Sequence, residues 1–261
     1  MSDSAIPPRP PQLPPLAPPF DGLERISGRA FKSGDSAIVK REDVYQVRRE
    51  IEALEFVRRW TSIPVPQVIE KNLNDSLTWF SMTMIPGRSL ADSWSSMGEQ
   101  AQVTTRNELR NYLNELRAIL PPDPPYIGSC TGGQACDHRL NKGFLCGPFN
   151  SESQFNDYLV GPVRRCPRQE FVERFRRQLA DDHGIVFTHA DLDGDHIFVE
   201  PTTGKITGII DWETAGWWPA YWEYTKARYG TRYQTWWKKL ISEVLDPYED
   251  ELLVEYDLQD F

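Results

Sequence analysis

The sequence predicts an α+β protein of two lobes, and the prediction rests on the order in which three kinds of segment follow one another. Eight of the first 19 residues are proline, a density that excludes helix and sheet interior. Strand-like runs with one amphipathic helix come next, and mostly helical chain with one small hairpin follows. Strands and helices that are segregated along a chain indicate an α+β architecture. The predicted parts are a disordered or strapping arm (1–20), a small β-rich lobe (21–86) and a larger, mostly helical lobe (87–261).

The smaller lobe is predicted from short strands and a single helix. Gly34-Asp35 fits a hairpin turn, and the apolar, partly β-branched run Ala37 to Val39 predicts the strand that follows it. Residues 44–60 predict a helix, because apolar residues recur there at intervals of three and four: Val47, Ile51, Leu54 and Val57. A further strand is predicted over Leu77 to Ile85, ended by Pro86-Gly87.

The larger lobe is predicted from amphipathic helices, a long loop and three short strands. Residues 101–120 predict a helix with one apolar face, formed by Leu109, Leu113, Leu116 and Leu120. Glycine and small polar residues over 126–150 predict a long ordered loop. Further helices are predicted over 151–160, over 167–181 and from about residue 218 onward. The predicted strands are Val186 to Thr188, Ile197 to Val199 and Ile206 to Ile210, of which the last two form a hairpin.

Composition limits the classes of partner. The net charge is −9 and the isoelectric point is near 5.1, so the chain lacks the basic surface that binds duplex nucleic acid or an anionic membrane. No run reaches the roughly 18 apolar residues of a membrane span, and the N-terminus does not have the pattern of a secretory signal. We therefore expect a cytoplasmic protein whose four cysteines are thiols, with no nucleic-acid partner and no membrane partner.

Ionisable residues are concentrated at two points, each directly against a short hydrophobic strand. The first set follows Phe187-Thr188 and consists of His189, Asp191, Asp193, Asp195 and His196. Asp211 ends the far arm of the predicted hairpin, which would return it close to His196. Carboxylates this close repel one another unless a divalent cation offsets the repulsion, and oxygen ligands favour Mg²⁺ or Mn²⁺ over zinc. Asp and Gly also punctuate ordinary turns, which is the alternative for Asp193 and Asp195.

This arrangement resembles a known pair of motifs. His189-Ala-Asp191-Leu with His196-Ile, followed by Gly208-Ile-Ile-Asp211-Trp-Glu, is similar to the catalytic loop and metal loop of the aminoglycoside phosphotransferase and choline kinase-like superfamily. The family pattern is His-x-Asp-x-x-x-x-Asn, then Ile-Asp-Trp/Phe-Glu. The run from Ala215 to Tyr224 resembles the fungal branch in particular, and the likeness covers roughly residues 25–240. The resemblance implies a protein-kinase-like two-lobed fold that uses ATP and Mg²⁺, with Mn²⁺ as the alternative metal.

The resemblance also implies roles on the side of the larger lobe. Asp191 would be the catalytic base that takes the proton of the acceptor hydroxyl. Asp211 would hold the metal ion that bridges the nucleotide phosphates, and His189 would brace the loop. In phosphoryl transfer these few groups suffice, because catalysis consists mostly of positioning and charge neutralisation.

On the side of the smaller lobe, the resemblance implies a nucleotide site. Lys40, at the end of Ala37-Ile-Val-Lys, resembles the phosphate-binding lysine of the family. Its partner is expected to be Glu50 on the helix, with Glu52 as the fallback because the helix register is uncertain. The segment Met82-Thr83-Met84 resembles the hinge that receives adenine through backbone groups, within a predicted inter-lobe hinge from Met82 to Gly87.

Two departures from the family pattern leave alternatives open. Position 196 is histidine where the family has asparagine. His196 is either a nitrogen ligand that suits Mn²⁺ or zinc better than Mg²⁺, with Asp195 or Asp193 supplying an oxygen, or a structural residue beside a lost metal site. The phosphate loop, Ser27 to Gly34, has only two glycines.

The sequence is therefore compatible with three functions. The leading hypothesis is an ATP-dependent phosphotransferase that acts on a hydroxyl of a small molecule, and the acidic field suits a cationic acceptor such as an amine. The alternatives are a nucleotide-binding pseudoenzyme and an enzyme of secondary metabolism that uses the cleft of His189, Asp191 and His196 for acid–base chemistry. The sequence predicts neither the identity of the acceptor nor the oligomeric state.

Overall fold

The computed structural model describes residues 20, 22–74, 77–138, 140, 145–161, 169–230 and 234–258. The predicted arm lies outside the described residues except for Phe20. The Phe20 side chain is buried, and its ring centroid lies 5.5 Å from that of Phe31 and 6.4 Å from that of Trp79. These contacts fix the start of the described chain on the first sheet.

Five antiparallel strands form the first sheet, in the order β1-β2-β3-β5-β4. They are β1 (Glu24–Arg25), β2 (Ala30–Ser33), β3 (Ala37–Arg41), β4 (Val68–Asn74) and β5 (Leu77–Thr83). Lys40 on β3 stands opposite Phe80 on β5. Because side chains alternate along a strand, Phe80 and Met82 point into the main core, whereas Leu77 and Trp79 pack in a separate cluster with Phe20.

One helix packs on this sheet, and its bounds confirm the prediction over 44–60. Helix α1 (Val44–Trp60) begins after Asp43, whose carboxylate accepts the N–H groups of Tyr45 and Gln46 and so satisfies two of the free donors at a helix start. Its predicted apolar stripe is fully buried against the sheet and the larger lobe. Two charged residues between Val47 and Ile51, Arg49 and Glu50, are buried as well.

The rest of the described chain is mostly helical, with two small sheets. The helices are α2 (Leu90–Ser93), α3 (Glu99–Ala118), α4 (Glu152–Leu159), α5 (Gln169–Gln178), α6 (Trp222–Gly230), α7 (Thr235–Val244) and α8 (Glu249–Leu258), with a 3₁₀ turn at Trp94–Ser96. The strands are β6 (Arg88–Ser89), β7 (Gly128–Ser129), β8 (Ile185–Thr188), β9 (Ile197–Val199), β10 (Ile206–Ile209) and β11 (Gly216–Pro219). One sheet has the order β10-β9-β6 and the other β7-β11-β8.

The strand β6 ties the chain that leaves the first sheet to the larger lobe, because Arg88 pairs with Val199 on β9. Gly87 stands at this crossing with a φ of +101°. A Cβ atom there would lie 2.4 Å from the carbonyl oxygen of Val199, so only glycine permits the close approach. The boundary predicted between residues 86 and 87 stays a prediction.

Four of the strands, β4, β6, β7 and β11, were not predicted from the sequence. The structure corrects the helical expectation for residues 218 and 219, since Gly216-Trp-Trp-Pro219 forms β11 and pairs with both β7 and β8. Four consecutive buried residues show no alternation, so their pattern does not distinguish a strand from a buried helix. The strands β6 and β7 have only two residues each, too few for a pattern, and β4 is an edge strand whose polar run Glu70-Lys-Asn72 has little intrinsic strand preference.

The predicted α+β fold is confirmed, with the strands of the first sheet preceding the helical part. The main core runs from α1 through the larger lobe and includes Trp212, Trp217 and Trp237. Within the described residues, every helix is too short or too polar to cross a membrane.

Candidate active site

Two acidic loops lie side by side where the small sheets meet the first sheet. The first acidic loop (189–196) connects β8 to β9, and the second acidic loop (210–214) follows β10. Ile197 pairs with Ile209, and the N–H of Ile210 donates to the carbonyl of His196 at 2.9 Å. The hairpin therefore brings Asp211 next to His196, as the sequence predicts.

His189 bridges the two acidic loops as a neutral imidazole. Its Nε2 donates to the carbonyl of Ile210 at 2.9 Å, and its Nδ1 accepts the N–H of Asp191 at 3.2 Å. Burial lowers the pKa of His189 to about 4, and the neighbouring His196 lowers it further. One tautomer thus satisfies both contacts, which fits the predicted bracing role.

Asp191, His196 and Asp211 form the acidic cluster of the site. The Nδ1 atom of His196 lies 2.8 Å from the Asp191 carbonyl and 3.7 Å from its carboxylate. Its Nε2 atom lies 3.4 Å from the Asp211 carboxylate. Atoms able to bind a metal, one from each residue, lie within 4.8 Å of one another. The two carboxylates therefore converge on the same small volume.

Lys40 connects the first sheet to this cluster. Its Nζ atom lies 2.7 and 2.8 Å from the two carboxylate oxygens of Glu50 and 2.7 Å from Asp211. The structure thus selects Glu50 over the fallback Glu52, which instead accepts the hydroxyl of Thr131. A lysine held between a helix carboxylate and the cluster carboxylate stands where it can reach a phosphate group.

These contacts set the charges of the site. Burial alone would lower the pKa of Lys40, but Glu50 and Asp211 outweigh it, and the pKa is raised. Burial alone would raise the pKa of Asp211, but Lys40 and His196 lower it to about 2. Partial burial raises the pKa of Asp191, against the opposing charge of His196. Asp211 is thus a fixed anion, and Asp191 is a stronger base than an exposed aspartate.

Both acidic loops contain a residue in the left-handed backbone region. Ala190 has a φ of 65° and Asp211 has a φ of 66°. Such a conformation costs a residue with a Cβ atom about 1–2 kcal/mol. Each of the two residues stands at or next to a carboxylate of the cluster, so the surrounding contacts must hold this backbone in place.

A cavity of about 200 Å³ opens beside Asp191. Its lining includes Asp137, His138, Asp193 and Lys226. The Lys226 ammonium and the Asp137 carboxylate form a buried ion pair of 2.8 Å at its wall. The predicted long loop thus contributes Asp137 and His138 to a space that leads to Asp191.

A smaller cavity of about 80 Å³ lies at Lys40, and Glu213 is one of its lining residues. The Glu213 carboxylate lies 2.6 Å from the imidazole of His138 and 3.6 Å from the guanidinium of Arg29. Its hydrogen bond to Glu213 raises the pKa of His138. Residues from the first sheet, the long loop and the second acidic loop therefore meet at this one carboxylate.

Comparison with known proteins places this cleft in a family. The profile of the phosphotransferase enzyme family matches residues 25–256, which include both acidic loops and Lys40. The chain belongs to the phosphotransferase enzyme family. The predicted resemblance to the aminoglycoside phosphotransferase and choline kinase-like superfamily is therefore confirmed, whereas the likeness to its fungal branch stays a prediction.

Two phosphotransferases of known type are similar to this member of the family in sequence. The aminoglycoside 3'-phosphotransferase of Streptomyces fradiae is 24% identical over 169 residues, which are 64% of this chain and 58% of that protein. The enzyme of the same type from Streptomyces ribosidificus is 25% identical over 163 residues, 62% of this chain and 57% of that protein. The chain therefore matches somewhat more than half the length of these relatives.

Solved phosphotransferases share the fold. A mutant of aminoglycoside 2'-phosphotransferase-IIIa in complex with GDP superposes with a TM-score of 0.61 at 14% identity, over 91% of this chain and 80% of that one. An aminoglycoside phosphotransferase from Streptomyces rimosus, in complex with ADP and streptomycin, gives 0.58 at 15% identity, over 92% and 93%. At these identities the likeness shows the fold alone.

Within this phosphotransferase fold, Glu223 supports the first acidic loop and was not predicted. Its buried carboxylate accepts the N–H of His189 at 2.7 Å and that of Ala190 at 3.1 Å. Burial raises the pKa of Glu223 to about 7, although the two donors oppose the rise. The sequence carried one signal of this role, an acidic residue within a run of aromatic residues. An acidic residue that is buried with such a run requires hydrogen-bond partners for its carboxylate.

Arg49 was also not predicted. It is buried on α1 beside Glu50, and its guanidinium donates to the carbonyl of Glu213 at 3.1 Å and to that of Gln134. It therefore joins the helix that carries Glu50 to the second acidic loop and to the long loop. Arg49 follows Val47 by two residues and lies off the apolar stripe of α1, so the periodicity did not mark it as buried.

The remaining predicted residues are distributed as follows. Asp195 lies outside the acidic cluster, and its N–H donates to the Asp193 carboxylate at 2.9 Å. In the hinge, Met82 is buried, and the N–H groups of Thr83 and Met84 donate to the carbonyls of Gln67 and Ser36 at 2.9 and 2.8 Å. A base bound there would have to meet other backbone groups of the hinge. The nucleotide role of these residues stays a prediction.

The donor atoms of the cluster fit a divalent cation. Asp211 supplies an ionised carboxylate, and His196 supplies an imidazole nitrogen within 3.4 Å of it. Two ligands of one ion, at bond lengths of about 2.1 Å, stand about 3.0–3.4 Å apart. Asp211 and His196 would hold the ion, with Glu50 and Glu213 as further carboxylates near Asp211.

Proposed function

We propose that the protein is a small-molecule kinase, which transfers the γ-phosphoryl group of ATP to a hydroxyl of a small acceptor. The observation that carries the proposal is that Lys40 and Asp191 both lie close to Asp211: the Lys40 ammonium is 2.7 Å from its carboxylate, and an oxygen of Asp191 lies within 4.8 Å of one of its oxygens. Lys40 lies on the side of the small cavity and Asp191 on the side of the larger one. A phosphate held at Lys40 and a hydroxyl held at Asp191 would therefore face each other across Asp211.

In the proposed reaction, the Asp191 carboxylate orients the acceptor hydroxyl and takes its proton. The acceptor oxygen forms a bond to the γ-phosphorus, and the bond from that phosphorus to the β–γ bridging oxygen breaks, which leaves ADP. Lys40 offsets the negative charge of the phosphates. A divalent cation held by Asp211 would supply further charge neutralisation.

The larger cavity supports a cationic acceptor. Asp191 and Asp193 present two carboxylates to it, and Lys226, the only lysine among the described residues that line it, is paired with Asp137. The aminoglycoside phosphotransferases that this chain resembles are named for amine-bearing substrates. An acceptor that carries both a hydroxyl and an ammonium group would suit this field.

A turnover assay with a matched pair of variants tests the proposal. The wild-type protein is incubated with ATP and a panel of aminated and neutral polyhydroxyl compounds, and acceptor-dependent ADP release is measured. In Asp191→Asn, kcat should fall at least about 100-fold with an unchanged melting temperature. Asp182→Asn changes an exposed aspartate just before β8 and should leave kcat unchanged.

Three results would count against the proposal. Undiminished turnover in Asp191→Asn would remove the assigned base. Nucleotide binding without turnover on any acceptor would favour the pseudoenzyme. Catalysis that proceeds without ATP would favour the repurposed acid–base enzyme.

A further inference from the structure

We infer that His196 and Asp211 form a mixed nitrogen–oxygen site that binds Mn²⁺ in preference to Mg²⁺. The inference rests on the proposed function, in which Asp211 binds the metal, and it specifies which metal the cleft selects. Three features of the structure carry it: the orientation of the His196 ring, its distance to Asp211 and the softness of its donor atom.

The orientation of His196 leaves one nitrogen available as a ligand. Its Nδ1 atom lies 2.8 Å from the carbonyl of Asp191. A carbonyl oxygen only accepts hydrogen bonds, so Nδ1 carries the hydrogen and Nε2 of the neutral ring carries a lone pair. Metal-binding histidines are oriented in this way, with the second nitrogen donating to a carbonyl or a carboxylate.

The lone pair points to the side of the ring where Asp211 lies. Nε2 and the nearer oxygen of Asp211 are 3.4 Å apart. This exceeds the roughly 2.9 Å of a normal N–H···O hydrogen bond, and it matches the separation of two ligands on a shared ion. The His196 side chain is 21% exposed and that of Asp211 is 28% exposed, so the site is open enough for an ion and a phosphate to enter.

The donor set then selects the metal. Mg²⁺ prefers an all-oxygen shell, whereas an imidazole nitrogen favours first-row transition metals. Where the family pattern has an amide oxygen from asparagine, this chain has a nitrogen. Phosphate and carboxylate oxygens, which suit Mn²⁺ as well as Mg²⁺, would complete the shell, so the single nitrogen is the ligand that distinguishes the two ions.

A protonated His196 is the competing arrangement. The imidazolium would then stand between the carboxylates of Asp191 and Asp211 and replace the ion at this point. It would leave no lone pair on Nε2, so the two arrangements differ in a property that spectroscopy detects directly.

The test is electron paramagnetic resonance of the full chain with Mn²⁺, alone and with ADP. Pulsed spectra should show modulation from a directly bonded ¹⁴N nucleus, and Mg²⁺ should displace Mn²⁺ only in at least about tenfold excess. His196→Asn keeps an oxygen donor and should abolish both the nitrogen signal and the preference. His183→Asn changes a histidine that contacts Glu152 outside the site and should keep both, and circular dichroism confirms that each variant is folded.

The outcomes separate this inference from the proposed function. Bound Mn²⁺ without nitrogen modulation, an unchanged preference in His196→Asn, or no Mn²⁺ binding under either condition would overturn the inference. Turnover with Mg²⁺ in the same sample would then leave the kinase proposal intact. Nitrogen-coordinated Mn²⁺ in a protein without any turnover would support the inference and refute the kinase.

Discussion

The two walls of the cleft are built in different ways. The wall formed by the two acidic loops is held by buried hydrogen bonds, such as those from His189 and Ala190 to Glu223. The opposite wall is the turn 26–29 between β1 and β2, which is exposed throughout. That turn is held by its own side chains, with Arg25 donating to the carbonyls of Ser27 and Gly28 at 2.9 and 3.2 Å.

This difference indicates which wall is fixed and which wall adjusts. A buried hydrogen bond is costly to break, because the groups left behind lose both their partner and water. Exposed ion pairs are worth little and exchange readily with solvent. The cavity at Lys40 is only about 80 Å³, so we expect the exposed turn to move when a triphosphate enters, while the acidic loops stay in place.

Glu223→Gln should produce the largest effect on the fixed wall. The amide has one oxygen, so one of the two N–H groups of the first acidic loop would face an NH₂ group. We expect a loss of about 1–3 kcal/mol in the free energy of unfolding, and a fall in kcat of about 100-fold as Asp191 is displaced. Urea unfolding and the ADP-release assay measure the two effects.

Glu243→Gln is the control for this variant, since Glu243 pairs with Arg106 at the surface. It should change stability by less than about 1 kcal/mol and leave kcat unaltered. Equal effects of the two substitutions would show that the contacts of Glu223 do not hold the loop.

Arg49→Lys tests the same wall from the side of α1. A lysine cannot donate to the carbonyls of Glu213 and Gln134 with the geometry of a guanidinium, so one carbonyl is left without its donor. We expect a loss of about 1–3 kcal/mol in the free energy of unfolding. Arg48→Lys, at the exposed position next to it, should change stability by less than about 0.5 kcal/mol. A similar result for both arginines would contradict the bridging role.

Arg29→Ala tests the adjustable wall. The Arg29 side chain is 48% exposed and contacts Glu42 at 2.6 Å, so its loss should change stability by less than about 0.5 kcal/mol. Removal of a positive charge beside the cavity at Lys40 should raise the KM for ATP about fivefold with little change in kcat. A fivefold change is equivalent to ~1 kcal/mol. Lys32→Ala removes a charge from the neighbouring strand and should leave the KM unchanged. A large loss of stability in Arg29→Ala would mean that this wall is fixed as well.

The sequence predicted the parts of the cleft whose signals are local. The stripe of α1 is periodic, so the bounds of the helix followed from spacing, whereas Glu50 as the partner of Lys40 was implied by the family resemblance and only the structure decided between Glu50 and Glu52. The hairpin placed Asp211 beside His196 because both lie at the ends of paired strands.

The parts that were missed depend on contacts across long stretches of chain. Glu223 stands 34 residues from His189, and Arg49 stands 164 residues from Glu213. No periodicity records such pairs. In the case of Glu223, the sequence does show a charged residue among apolar ones. Such a residue requires a partner when it is buried, but the sequence does not identify that partner. The strand β11 was missed because its residues are buried on both faces.

Ala190→Gly should produce the smallest effect and yet tests the fixed wall most directly. Glycine removes the cost of a φ of 65°, but it also gives the unfolded chain more freedom, by about 0.5–1 kcal/mol. The two terms nearly cancel, so stability should change by less than about 0.5 kcal/mol. Ala53→Gly, at an equally buried position inside α1, has no such compensation and should lose about 1 kcal/mol or more.

Urea unfolding of the two variants measures this difference in stability. The kcat of Ala190→Gly then shows whether the backbone conformation at Ala190 also orients Asp191. If the backbone at Ala190 is strained only to aim Asp191, glycine should lower kcat while stability is unchanged, because the loop gains conformations in which the carboxylate points elsewhere. If Ala190→Gly instead costs as much stability as Ala53→Gly, the left-handed conformation does not persist in solution. The fixed wall would then owe its geometry to its buried hydrogen bonds, such as those to Glu223.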